Sequence, residues 1–80
     1  MLTEYLRRAM HRATYEILEE DATYYGEIVG FEGVYANEKT LEKCREVLEE
    51  VLEDWLFVRI ARDLPLPTVD GISLTVRHVA

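Results

Sequence analysis

Between residues 14 and 57 the apolar positions of this chain change period once, from strand-like alternation to the three-and-four spacing of a helix. Thr14, Tyr15, Glu16, Ile17 and Leu18 are mostly β-branched or aromatic and alternate in polarity, which predicts a strand closed by the acidic turn Glu19, Glu20, Asp21, Ala22. Tyr24 to Val29 read as a second strand, close enough for an antiparallel hairpin. Gly30 and Gly33 mark a turn around Phe31 and Glu32, before a short strand at Val34, Tyr35, Ala36. Leu41, Cys44, Leu48, Val51, Trp55 and Val58 then share one stripe of a long helix. Thr40 is placed to cap its first free N–H groups; Lys43 stands where a capping box would need Glu or Gln, so the cap is one-sided. Glu42 and Glu46 lie near the positive end of the helix dipole and Arg59 and Arg62 near the negative end. The helix is expected from about Leu41 to about Arg62, and Pro65 and Pro67 forbid its continuation.

The two ends extend this pattern. Residues 2–13 predict a short helix with Thr3 as N-cap and Leu2, Leu6, Met10 and Ala13 on one face. Arg7, Arg8 and His11 on the other face are either solvated or a small basic strip. Asp63 to Pro67 form a stiff connection, and Asp70 and Gly71 introduce a strand from Ile72 to Arg77. Its apolar positions Ile72, Leu74 and Val76 are the candidate oligomer interface, because an unpaired strand edge is a template for a second copy. Completion of the chain's own sheet is the other option. The expected architecture is α+β: a three-stranded antiparallel meander packed on one long helix, with an N-terminal helix and a C-terminal strand. It is read as a single domain over residues 1–80, with a helix at 1–13, a β-β-β-α core at 14–62, and a connection and strand at 63–80.

Eighty residues give a small core, and domains of this size commonly gain stability by association. A homo-oligomer, dimer or tetramer, is therefore expected. No apolar run approaches the length needed to cross a bilayer, and Glu4 and Arg7 interrupt anything resembling a signal peptide, so the expected location is cytoplasmic with no membrane partner. The net charge of −7 is uneven: Arg7, Arg8 and Arg12 against Glu4 make residues 1–13 +2, and the remainder is −9. An acidic body repels phosphate and attracts basic partners, so direct nucleic-acid binding is not expected.

Candidate chemistry is sparse. Cys44 sits on the apolar stripe and reads as a buried thiol. His11 and His78 are the only histidines, lie at opposite ends, and show no metal-ligand spacing with it, so neither metal nor cofactor is expected. Tyr24, Tyr25, Phe31, Tyr35 and Trp55 suggest a stacking platform, but they lack the basic surround that one needs, and strand alternation turns some of them into the core. Glu42, Glu46, Glu49, Glu50, Glu53 and Asp54 form an acidic helix face, a like-charge row that is either simply solvated or a docking surface for a basic protein.

The stretch EEDATYYGEIVGFEGVYANEKTLEKCREVLEEVLEDWL resembles the HicB family of antitoxin-type domains. That family's pattern runs from an acidic turn through an aromatic-rich strand, a turn ending in Gly and a short strand to a Thr-Leu helix start. Asp21, Tyr24, Tyr25, Glu27, Phe31, Gly33, Thr40 and Leu41 fall at its recurrent positions, whereas Glu32 replaces the usual Pro before the turn glycine. The resemblance implies a truncated ribonuclease H-like fold without catalysis. It further implies a partner, a small basic HicA-type ribonuclease toxin, neutralised when its active surface is covered. Glu42, Glu46, Glu49, Glu50, Glu53, Tyr24 and Phe31 are the candidate partner-binding residues. The alternative is a solitary self-assembling module that binds another protein or a small ligand. Catalysis is not expected, because Glu16 and Glu27 alone do not make the carboxylate cluster that two-metal nucleases need.

Overall fold

The computed structural model describes residues 2–74. Within them the chain forms α1 (Leu2–His11), β1 (Ala13–Leu18), β2 (Thr23–Ile28), β3 (Tyr35–Glu38) and α2 (Leu41–Ala61). The strands make an antiparallel meander in the order β1-β2-β3, with Ala13 opposite Ile28, Leu18 opposite Thr23, and Tyr24 opposite Glu38. The fold is α+β, as the change of period predicts. Val29 falls outside β2, and the third strand begins at Tyr35 rather than at Val34.

Both differences come from one device. Phe31 N–H donates to the Ile28 carbonyl and Val34 N–H to the Phe31 carbonyl, each at 3.1 Å, so two four-residue turns follow one another. Each carries a glycine at its third position, Gly30 at φ 89° and Gly33 at φ 92°, a backbone region that strongly favours glycine there. The paired turns drop Phe31 and Val34 into the interior, each only 2% exposed.

α2 begins as its sequence demands: the Thr40 hydroxyl accepts from Lys43 N–H at 3.1 Å. Its buried stripe differs from the heptad-like row expected. Cys44, Leu48, Leu52 and Leu56 are buried, Val51 and Trp55 flank them half-buried, and Val58 is 45% exposed. A strict alternation of three and four drifts off a straight helix with 3.6 residues per turn, whereas a four-residue row inclined to the axis matches a helix laid obliquely on its support.

A helix of 21 residues spans roughly 30 Å, while a four-residue strand spans only about 13 Å. The sheet therefore supports only part of α2, which packs over β3 and β2. Tyr5, Phe31, Val34 and Val69 belong to the same buried cluster as Leu56. Tyr5 meets Phe31 edge-on at 6.3 Å, and Phe31 meets Trp55 at 5.2 Å. Trp55 is thus a partly buried wall of the core and not its centre: its indole N–H donates to the Glu32 carbonyl at 3.0 Å and the Arg59 guanidinium lies over its ring at 4.6 Å.

α1 already includes Thr3, so Thr3 cannot be its N-cap. The face it buries is Tyr5, Ala9 and Met10, with Leu2 left exposed and Ala13 passed to β1. Tyr5 is favoured because its hydroxyl donates to the Pro67 carbonyl, fixing the connection that follows α2. Next along that connection, Val69 and Ile72 exchange both backbone hydrogen bonds across Asp70 and Gly71, which have φ of 48° and 78°. This is the Asp-Gly turn of a two-residue hairpin. Ile72 and Leu74, expected at an oligomer interface, pack half-buried against the protein's own core. Val76 and the remainder of that expected strand, from residue 75 on, lie outside the described residues.

Two tyrosines make the polar cost of this core testable. Tyr5 satisfies its hydroxyl on Pro67, whereas the Tyr15 hydroxyl is buried with no hydrogen-bond partner among the described residues. Tyr5→Phe is expected to destabilise by about 1 kcal/mol, and Tyr15→Phe to be neutral or stabilising, because only the first leaves an acceptor unpaired. Urea denaturation of both variants checks this; equal losses would show that Tyr15 has a partner in solution.

Candidate partner-binding surfaces

Among the described residues the domain has two layers, and each presents an uncovered face. On the helix layer, Glu42, Glu46, Glu50, Glu53 and Asp54 are exposed and Glu49 is half-buried. Members four apart, Glu42 with Glu46, Glu46 with Glu50, Glu49 with Glu53 and Glu50 with Asp54, stand about one turn apart, so like charges face one another. The only ion pair made by these six among the described residues joins Lys43 to Glu46 at 3.8 Å. The acidic row expected from the sequence is thus present as one surface, with Glu49 at its inner margin.

The cations of α1 are spent differently. Arg7 and Arg8 both bond Glu4, at 2.9 and 3.0 Å, and Arg8 and Arg12 reach Asp70 at 3.9 and 3.4 Å. The Arg8 hydrogen bond leads in holding the Glu4 carboxyl below its ordinary pKa. Arg7 and Arg8 of the basic strip, and Arg12 just beyond α1, are therefore paired with carboxylates of their own chain.

Of the two aromatics expected to touch a partner, Phe31 is buried and Tyr24 is half-buried against the core. Phe31 is inserted by the paired turns, and Tyr24 lies on the inner face of β2 in contact with the core. Alternation held the signal: once Ile28 and Gly26 point inward, Tyr24 does too, and Tyr25 and Glu27 point outward. The outer face of the sheet consists of Thr14, Glu16 and Leu18 from β1, Thr23, Tyr25 and Glu27 from β2, and Tyr35 and Asn37 from β3. Tyr25 and Tyr35 stack there, centroids 6.1 Å apart and planes 26° apart. The Tyr25 hydroxyl reaches Glu27 at 3.4 Å, and burial, followed by Glu27, raises its pKa.

Cys44 is fully buried beneath the sheet and its thiol donates to the Ala36 carbonyl at 3.5 Å. Burial pushes its pKa up, the opposite of what a nucleophile requires. Among the described residues no three His, Cys, Asp or Glu side chains gather as a metal site, and no helix is long and apolar enough to cross a membrane.

No curated protein matches this chain. A crystal structure of TTHA0281 from Thermus thermophilus is similar over 96% of this chain and 95% of that one, with 39% identity and a TM-score of 0.89. The pattern of the UPF0150-like family matches residues 4–67, which include both helices and the whole sheet apart from the first two residues of α1. On these grounds the chain belongs to the UPF0150-like family.

Proposed function

We propose that this protein is a non-catalytic binding module of the antitoxin type, which neutralises a small basic ribonuclease of the HicA kind by covering its active surface. The observation that carries this reading is the unequal use of charge. The arginines at the N-terminal end, Arg7, Arg8 and Arg12, are paired within the molecule, while the carboxylate row of α2 faces solvent with one weak ion pair. An unneutralised row costs the isolated helix and gains a counterpart when a cationic surface docks on it. The resemblance of residues 19–56 to HicB supplies the identity of that partner.

Affinity capture with the tagged full chain, followed by mass spectrometry and light scattering, tests the reading. The expected product is a stoichiometric complex with a small basic ribonuclease whose RNA cleavage the chain suppresses. Reversal of Glu46, Glu50 and Glu53 to Lys should weaken that complex by about tenfold or more and make the loss smaller at high salt, since each exposed pair is worth ~0.2–1 kcal/mol. These three are chosen because all are exposed, whereas Glu49 is half-buried. Unchanged affinity would remove the helix row from the mechanism.

A second reading, a solitary self-assembling module, is favoured by the groove between Leu2, Leu6, Phe57 and Ile60, where Phe57 is 73% exposed. Recovery of the chain alone, at an oligomeric mass that Phe57→Asp abolishes, would select it.

A further inference from the structure

Among the described residues the outer face of the sheet has no layer over it, and its charges are all of one sign. Across the strands, Glu27 lies between Thr14 and Tyr35, and Tyr25 lies between Glu16 and Asn37. Carboxylates and phenol rings therefore alternate in a checkerboard, each ring beside an acid. None of the eight outward residues is basic, and among the described residues neither Glu16 nor Glu27 makes an ion pair. Beside this checkerboard a shallow concavity of about 560 Å³ is lined by Tyr25, Glu27 and Tyr35 and by Glu32 from the paired turns. Gly30 and Gly33 form part of its wall, with no side chain to block an approach to the backbone.

An aromatic face beside a carboxylate suits one chemical group best. A guanidinium is planar, stacks on a phenol ring, and presents paired N–H donors to a carboxylate at its edge, whereas an ammonium is a strongly hydrated point charge without a stacking face. We infer that the open sheet face is a docking surface for an arginine-bearing basic protein segment, with an arginine stacked on Tyr35 and bonded to Glu27. This rests on the reading above that the partner is basic, and it adds to the α2 row a second face and the kind of side chain that face reads. Charge complementarity supplies the occupant: the face carries Glu16 and Glu27 with Glu32 beside it and no cation, and a second copy of this chain, at a net charge of −7, is repelled by it.

The test uses the full chain and three blocked peptides, acetyl-Gly-Arg-Gly-Arg-Gly-amide and its lysine and citrulline counterparts, followed by amide chemical shifts. Expected are saturable shifts confined to β2, β3 and residues 29–34, with the arginine peptide bound about fivefold more tightly than the lysine peptide and the citrulline peptide not bound. Glu27→Gln and Tyr35→Ala should each weaken binding by a similar factor, and Tyr35→Phe, which keeps the ring, should not. Shifts that map to the acidic row of α2, an affinity indifferent to Glu27 and Tyr35, or no saturable binding would each overturn the inference. Loss of a captured ribonuclease on reversing the α2 row, with the sheet silent to peptide, would leave the antitoxin reading standing and this inference refuted. Peptide binding on the sheet without any ribonuclease partner would do the reverse.

Discussion

Leu48→Ala is expected to lower the unfolding free energy by roughly 2–5 kcal/mol, while Val58→Ala on the same helix should change it by no more than about 0.5 kcal/mol. Leu48 is fully buried beneath the sheet, and truncation there removes apolar contacts and leaves a cavity in a closely packed layer. Val58 belongs to the apolar row that the sequence spacing suggests, yet it is 45% exposed. A domain of 80 residues has a total stability of only about 4–12 kcal/mol, so the Leu48 variant should show a large fall in urea midpoint at unchanged slope. Equal losses at the two positions would mean that α2 is rotated from the orientation described.

Gly26→Ala is expected to destabilise the protein by about 1–3 kcal/mol, against the usual sense of replacing a strand glycine. A Cβ at residue 26 would stand 2.8 Å from Cδ1 and Cε1 of Tyr15, its cross-strand partner, and 3.2 Å from the Cys44 thiol. The ring occupies the place of the missing side chain, so neither can have its ordinary size without displacing the other. Because the clash is with one flexible ring, a double-mutant cycle identifies it: combined with Tyr15→Ala, the added methyl should cost far less than it does alone. Additive losses would place the strain in the backbone instead.

These two sites show what could be read from the chain alone. The change of period, the Thr40 cap, the four-residue acidic turn and the two glycines of the β2–β3 connection were legible, because each is a local rule with a local cause. The orientation of α2 was not legible to the same degree. Leu52 and Leu56 compete with Val51, Trp55 and Val58 for the core, and the choice falls to an oblique crossing that only the assembled sheet imposes. The burial of Phe31 is hidden in the sequence for a related reason, since paired turns can aim a residue either way. Tyr5 was passed over because its role depends on Pro67, 62 residues later in the chain. Asp70 and Gly71 signal a turn in the sequence, but the first arm at Val69 is too short to read as a strand. For the candidate surfaces the acidic row is plain from spacing, whereas the outward pair Tyr25 and Tyr35 emerges only when the strand register puts Tyr35 opposite Glu27.

The position of Cys44, sealed between the Gly26 backbone, the Tyr15 ring and the first turns of α2, gives the molecule an internal reporter. Its thiol is the one cysteine in the sequence, and it meets solvent only when helix and sheet part. The rate at which a thiol reagent labels this single site therefore reads the opening of the domain directly, with no added probe. A bound partner that clamps either layer would be seen as a slowing of that clock, even if it never touches the sulfur.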